Sequence, residues 1–273
     1  GSMKDRAALQ AIKDAYESGK LKPGQQVLEM TSGNMGAGLA VVCAAMGNPF
    51  TAVMPEGNSP ERRKMLRALG AEVHLVKSID GVPGGGIVTG ADVEATEREA
   101  ERLVEETGAF YVDQWYNKSC VQGHYTSTGP EIWEAMNGKV DAIVAAVGSG
   151  ATLMGTAKYL KEKNPDILCI AVEPEGAQFI KTGQATNPRH IIQGTGYCRI
   201  PPHWDESLCD KFISVNDEEC REMALKLSKE EGLYVGYSAA ANVVASKKLL
   251  EEVDRDMNVV TILCDLGFKY SDL

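Results

Sequence analysis

Short apolar runs alternate along this chain with longer amphipathic stretches. The apolar runs predict strands at 26–30, 50–54, 71–76, 109–113, 142–147, 167–173, 211–215 and 258–264. The amphipathic stretches predict helices at 4–18, 36–47, 60–69, 91–107, 126–137, 153–163, 217–230 and 239–253. Regular alternation of the two argues for an α/β architecture with largely parallel sheets. Ala142–Val147 is unbroken in its apolar character, as a parallel strand covered on both faces should be. A seam near residue 115 divides the chain into two α/β domains, 1–115 and 116–273, with no long linker between them and no internal repeat. Residues 79–90 contain three consecutive glycines and predict a mobile surface loop; a moving element at the mouth of a site and a plain surface insertion both fit it.

Composition narrows the function classes. The chain has 273 residues, enough for two domains, with 44% hydrophobic and 24% charged residues and a mean hydropathy of −0.20. A formal charge of −10 argues against nucleic acid or an anionic membrane as the main partner, although a local cluster of N–H groups can still bind an anion. The seven cysteines are scattered, form no CxxC pair and several sit inside apolar runs, which predicts reduced, buried thiols in a cytoplasmic compartment. The four histidines are equally dispersed, so no metal site is expected. No apolar stretch is long enough to span a bilayer. Gly1-Ser2, ahead of Met3, reads equally as residues added before a native start and as native sequence.

Four places carry candidate chemistry. Val27-Leu28-Glu29-Met30 followed by Thr31-Ser32-Gly33-Asn34-Met35-Gly36 reads as strand, polar turn and helix start. Hydroxyls, an amide and backbone N–H groups would converge there on a carboxylate, and a Ser/Asn-capped loop without a ligand fits the same residues. Gly148-Ser149-Gly150-Ala151-Thr152 follows the buried strand and opens a helix, the design of a phosphate cup. It lacks the lysine of a P-loop and the spacing of a dinucleotide fingerprint, which disfavours ATP and NAD. Lys4 stands at a helix start, where the positive dipole end disfavours its ammonium form and helps it act as a neutral nucleophile; taken alone, a lysine here is more often a solvated surface charge. Ser238, within Gly236-Tyr237-Ser238-Ala239, suits an N-cap or a hydroxyl offered to a ring nitrogen, and Gly194-Thr195-Gly196 is a further glycine-framed turn.

An amine, a phosphate cup, a carboxylate cradle and a hydroxyl for a heteroaromatic nitrogen together describe pyridoxal 5′-phosphate. In this order they resemble the fold type II pyridoxal-phosphate enzymes, specifically the cysteine synthase and cystathionine β-synthase family. Ser2-x-Lys4-Asp5-Arg6 is similar to that family's Schiff-base motif and Thr31-Ser32-Gly33-Asn34 to its substrate loop. Met54-Pro55-Glu56, Glu61-Arg62-Arg63-Lys64, Asp113-Gln114, His124-Tyr125, Thr128-Gly129-Pro130-Glu131, Val172-Glu173-Pro174 and Ile192-Gln193-Gly194-x-Gly196 follow in the family's order, so the resemblance spans residues 2–270. It implies a tryptophan synthase β-like fold of two three-layer αβα domains, the first with the Schiff-base lysine and substrate loop, the second with the phosphate loop. It implies that Lys4 carries the cofactor and then acts as base. Asn34 would meet the cofactor's phenolic oxygen, Gly148, Ser149, Gly150, Ala151 and Thr152 its phosphate, and Ser238 its pyridine nitrogen. Thr31, Ser32, Gly33, Met35, Gln114, Gly194 and Thr195 would serve the amino-acid substrate. The implied activity is β-replacement on an O-activated serine or cysteine-like amino acid, through an aminoacrylate, with sulfide or another small nucleophile as second substrate, in a homodimer. Serine/threonine dehydratase-type β-elimination and a catalytically silent paralogue serving as a binding subunit are the alternatives.

The chain departs from the family pattern in four places. Met35 stands where Thr is common, Ala151 where Gly is usual, and Tyr237 with its Ala-rich sequel replaces a Ser-Gly pattern. Ala151 would be strained if its position required a positive φ. The family's segment ahead of the lysine motif is missing, so Lys4 is expected on a frayed end and the chain reads as an N-terminally short member.

Overall fold

The computed structural model describes residues 1–79, 83–84 and 88–270. Residues 80–82 and 85–87 of the glycine-rich loop read as mobile lie outside the described residues. By contact clustering the chain forms two compact units, one essentially Met3–Ser119, the other Cys120–Leu273.

The first unit runs α1 (Lys4–Glu17), β1 (Val27–Met30), α2 (Asn34–Met46), β2 (Phe50–Pro55), α3 (Pro60–Ala68), β3 (Glu72–Val76), α4 (Gly90–Thr107) and β4 (Phe110–Tyr111). Its four strands are all parallel, in the order β3-β2-β1-β4. Val27 pairs with Phe50 on one side and with Phe110 on the other, so β1 is a central strand. The second unit opens with α5 (Ser119–Gly123), a π-helical turn (His124–Thr128) and α6 (Gly129–Ala135). It continues with β5 (Ala142–Ala146), α7 (Ala151–Lys163), β6 (Leu168–Pro174), α8 (Phe179–Thr182), β7 (Lys211–Val215), α9 (Asp217–Glu231), α10 (Tyr237–Glu252) and β8 (Val259–Thr261). Its sheet is also parallel, ordered β7-β6-β5-β8.

The apolar runs became strands because both faces of each sheet are covered. β2 and β5 are buried along their whole length. In the second unit one core cluster lies on the α9 and α10 side of the sheet, with Val144, Ile170, Ile213 and Leu249, and another on the α7 side, with Ile143, Leu153, Leu160 and Ile167. Each sheet therefore sits between helices, as the α/β expectation required.

The strand order fixes where a ligand can sit. In an open parallel sheet the crevice forms at the carboxyl ends of the two strands whose connections leave in opposite directions. That switch point lies between β1 and β4 in the first unit and between β5 and β8 in the second. The loops leaving β1 and β5 are the two turns singled out from sequence.

Strands β4 and β8 are shorter than predicted and α8 is not among the predicted elements, but the differences that bear on the site are at two helix starts. The helix expected from residue 126 is instead a longer composite, α5, the π turn and α6, beginning at Ser119. The helix expected from 153 starts at Ala151, which places Ala151 and Thr152 in the first turn of α7.

Candidate active site

In the first unit, the loop after β1 is closed by its own threonine. The Thr31 amide donates to the Val53 carbonyl at 3.0 Å, which carries the β1–β2 ladder one residue past the strand. Thr31 Oγ1 accepts the Gly36 N–H at 3.0 Å, satisfying one of the donors at the start of α2. Gly36 must be glycine: a Cβ there would lie 2.7 Å from Thr31 Cγ2 and 3.0 Å from a Leu66 methyl. Gly33 is the N-cap and Asn34 the first helical residue, half-buried, while Met35 is 2% exposed. Arg62 on α3 donates to Ser32 Oγ at 3.1 Å and to the Ser32 carbonyl at 3.4 Å. The sequence marked Arg62 only as part of a motif; the fold makes it a cation held against the cradle, which suits an anion there.

Lys4 is the first residue of α1, and the expected fraying is corrected. Met3 already has helical backbone angles, φ −56° and ψ −25°, and α1 buries Ala7, Ala8, Ala11, Ile12 and Ala15. Its first turn lies on α2: a Cβ at Gly38 would be 3.2 Å from the Asp5 Cα and 3.2 Å from Ala8 Cβ. Gly38, one turn past Asn34, thus brings the residue beside Lys4 against the helix that carries the substrate loop.

Gln114 follows β4 after Asp113, a non-glycine residue with φ 53°. Its backbone N–H and its Nε2 reach Glu29 Oε1 on β1 at 3.4 Å and 3.2 Å. Thr31, Ser32 and Gln114 therefore all stand at the carboxyl ends of the neighbouring strands β1 and β4. Glu29 had no place in the sequence reading, yet it is 1% exposed and its carboxyl is pushed up to about 8, chiefly by burial and further by Asp113, against the bonds from Gln114.

In the second unit, β5 leads into Gly148-Ser149-Gly150 and then α7. Gly150 is the N-cap with φ 87°, so the left-handed residue is a glycine and Ala151 is ordinary helix; the strain foreseen for Ala151 is absent. Gly148 has no room for a side chain, since a Cβ would lie 2.3 Å from the Gly194 carbonyl oxygen. Gly194 (φ 86°) is thereby brought directly against the cup, and the Thr195 hydroxyl donates to the Ile192 carbonyl at 2.7 Å, fixing that turn. The first N–H groups of α7 and the buried Ser149 and Thr152 make a donor-rich turn at a positive helix end.

Beneath the cup lies a buried relay that the sequence quoted without assigning. His124, 0% exposed in the π turn, meets Thr152 Oγ1 through Nε2 at 3.1 Å and Thr128 Oγ1 through Nδ1 at 2.8 Å. A Cβ at Gly155 would lie 2.3 Å from the Val121 carbonyl oxygen and 2.9 Å from His124 Cβ, so this glycine lets α7 close on the π turn. Such single π turns recur at functional sites. Ser238 is the second residue of α10 and is 7% exposed. One turn on, Asn242 accepts the Ala146 N–H at 2.7 Å and donates to the Ile262 carbonyl at 2.8 Å, which anchors the start of α10 between β5 and β8 at the second switch point.

The donor set of the cup fits a phosphate: tight backbone, a helix start and two hydroxyls. The first unit supplies an amine, an amide and a carboxylate cradle. Among the described residues the seven cysteines are free thiols, five of them buried, and no helix is long and apolar enough to cross a membrane.

A family model described as pyridoxal-phosphate dependent enzyme matches residues 1–265. The cysteine synthase of Staphylococcus aureus is 39% identical over 271 residues, covering 99% of this chain and 83% of that protein. Among solved structures, an O-ureido-L-serine synthase superposes with a TM-score of 0.89 at 34% identity, covering 99% of this chain and 82% of that one. The O-acetylserine sulfhydrylase isoform 3 of Entamoeba histolytica gives a TM-score of 0.89 at 31% identity over 100% and 78% of the two chains.

Proposed function

This chain belongs to the pyridoxal-phosphate dependent enzymes, in the cysteine synthase group with the type II fold, and from that membership we propose how its residues divide the work of β-replacement on an O-activated serine. When bound, the cofactor supplies the aldehyde and the electron-accepting ring that loosen the substrate's Cα–H and β-substituent. Lys4 Nζ is the covalent anchor and the base that takes the Cα proton. Gly148–Thr152 hold the phosphate, with Thr152 oriented by His124. Asn34 would donate to the phenolic oxygen. Thr31, Ser32, Gly33 and Gln114 receive the substrate carboxylate, with Arg62 adding positive charge beside Ser32. Met35, Gly194 and Thr195 border the substrate end. Ser238 would serve the pyridine nitrogen; a hydroxyl there would not keep the ring protonated as a carboxylate would, which would favour elimination and addition over transamination. In this division the first unit carries the lysine and substrate loop, and the second the phosphate loop.

The observation that carries this reading is the phosphate cup, where Gly148 leaves only backbone between β5 and the Gly194 turn at the head of α7. The second substrate is a small nucleophile, sulfide in the first instance, because one named relative is a cysteine synthase and another an O-acetylserine sulfhydrylase. Purified protein loaded with cofactor and given O-acetylserine and sulfide is expected to form cysteine, and Lys4→Ala to form none. Steady pyruvate without cysteine would establish the dehydratase-type reaction instead, and a colourless preparation that ignores added cofactor would sink both. We read the working form as a homodimer, as the family resemblance implies, in a reducing cytoplasmic compartment, which the free thiols support. Light scattering on the purified protein checks the first of these.

A further inference from the structure

The connection between β6 and β7, residues 175–210, is mostly irregular: α8 has four residues and a 3-10 turn at Glu206–Leu208 has three. It nevertheless carries the Gly194 turn that meets the cup. Such a segment takes its place from side chains around it. Glu173, 3% exposed at the end of β6, accepts the N–H groups of Ile180 at 2.9 Å and Lys181 at 3.1 Å and so seats α8. Asp217 Oδ1, at the head of α9, accepts the Ile191 N–H at 3.0 Å, and Ile192 is buried in the core on the α9 and α10 side.

His190 reaches the turn itself. Gly196, with φ 62°, has no room for a side chain, since a Cβ would lie 2.5 Å from His190 Nε2 and 3.1 Å from both Ala177 Cβ and Pro174 Cγ. The first residue of the turn thus presents its carbonyl to Gly148, and the last presents its Cα to the imidazole. The ring's other nitrogen, Nδ1, is buried with no hydrogen-bond partner among the described residues. A neutral imidazole suits this place, whereas an imidazolium would carry an N–H at Nδ1 with no acceptor to meet it.

We propose that His190 is a positioning residue of the candidate cup, its imidazole bracing the Gly194–Gly196 turn so that the Gly194 carbonyl stays seated against Gly148. The inference rests on the reading of residues 148–152 as the phosphate site.

Acid undoes such a brace. Burial pulls the proton affinity of His190 below that of an ordinary histidine; Asp217 and a hydrogen bond to the Gly196 backbone pull the other way and do not prevail. Asp217 is the charged group acting on the ring, while Pro174, Ala177 and Gly196, gathered at its Nε2 edge, bring no charge. The brace is therefore complete above the ordinary value of 6.5 and is lost as the pH falls through the lower value of the folded protein.

The test is titration of the cofactor-free protein with pyridoxal 5′-phosphate, followed by absorbance from about pH 5 to about pH 7.5, for wild type, His190→Gln, His190→Ala and Gly148→Ala. His190→Gln keeps an N–H donor for the Gly196 backbone and does not titrate. The wild-type Kd divided by that of His190→Gln should be level near neutral pH and rise about tenfold at the acid end, because titrations shared by the two proteins cancel. His190→Ala should bind about tenfold more weakly than wild type near neutral pH, and added imidazole should restore part of the loss. Amide exchange over residues 191–198 in the cofactor-free protein reads the turn directly and should be faster in His190→Ala than in wild type at the same pH. A ratio that stays flat with pH overturns the proposal. So does a ratio that falls in acid, which would mean that the imidazolium attracts the phosphate directly. Affinity of His190→Ala within twofold of wild type, or unchanged exchange over 191–198, overturns it as well. Should Gly148→Ala also bind the cofactor as wild type does, the reading of the cup has failed; should Gly148→Ala alone be weakened, the failure belongs to His190.

Discussion

Gly148→Ala is the sharpest probe of the cup. The added methyl would sit 2.3 Å from the Gly194 carbonyl oxygen, against an ordinary carbon–oxygen contact of about 3.3 Å, so something must move by roughly 1 Å. Neither side has a flexible end to yield: the obstacle is backbone, in a turn whose own residue has φ 86° and whose neighbour Thr195 is hydrogen-bonded to Ile192. Overpacking of this kind costs about 1–3 kcal/mol. The cofactor-free protein can relieve part of it by letting the Gly194 turn retreat, but on the proposed reading a bound phosphate needs the cup closed. Loss of a single hydrogen bond to the charged phosphate is worth about 1.5–3 kcal/mol, and each 1.4 kcal/mol is tenfold in affinity. Cofactor titration of the apo variant, followed by absorbance, should therefore show affinity about tenfold to a hundredfold below wild type. Gly90→Ala, at the start of α4 with nothing within 4 Å of the new methyl and no positive φ, is the matched control and should titrate as wild type. Affinity of Gly148→Ala within twofold of wild type would refute the assignment of the phosphate to this turn.

Two further outcomes follow from the same geometry. Gly155→Ala, inside α7, would by helix propensity alone gain about 1 kcal/mol, yet its methyl would lie 2.3 Å from the Val121 carbonyl oxygen, an overpacking that costs about 1–3 kcal/mol; urea unfolding should show a net loss of up to about 2 kcal/mol, and a stabilised variant would mean that α7 and the π turn are not so closely packed. Asp92 closes a capping box with Thr89 at the head of α4, and the Thr89 backbone N–H, then those of Ile79 and the Ser78 and Thr89 hydroxyls, hold its carboxyl near 2. A depressed carboxyl contributes stability above its unfolded value of about 3.9 and loses it as the pH falls toward 2, so Asp92→Ala should cost about 0.5–2 kcal/mol at neutral pH and less in acid, a difference read from unfolding at the two pH values.

Much of this architecture is visible in the sequence because parallel strands covered on both faces need unbroken apolar runs, and Ala142–Val147 can hardly be anything else. The two candidate turns are visible because glycine, serine and asparagine between a strand and a helix mark a tight turn and a helix start. What pattern does not report is a bond that arises only when distant segments meet. Glu29 carries no sign of its burial in the run 27–30 until β4 places Gln114 against it, and the π turn at His124 comes from a shifted hydrogen-bond ladder that leaves helical periodicity nearly intact. Ala151 misleads in the opposite sense: a missing family glycine suggests strain, but the left-handed angle belongs to Gly150 next to it. One signal was present and could have been read further. A glycine inside a helix sacrifices about 1 kcal/mol of propensity, so it persists where a neighbour presses on its Cα. Gly38 and Gly155 both do this, the first under Asp5 and Ala8, the second under Val121 and His124. Gly38 sets the first turn of α1, where Lys4 stands, and Gly155 lies one turn past Thr152. The glycines inside α2 and α7 therefore mark the helix contacts that hold the first turn of α1, with Lys4, and the first turn of α7, with Thr152, in place, and neither helix could seat its partner with a methyl there.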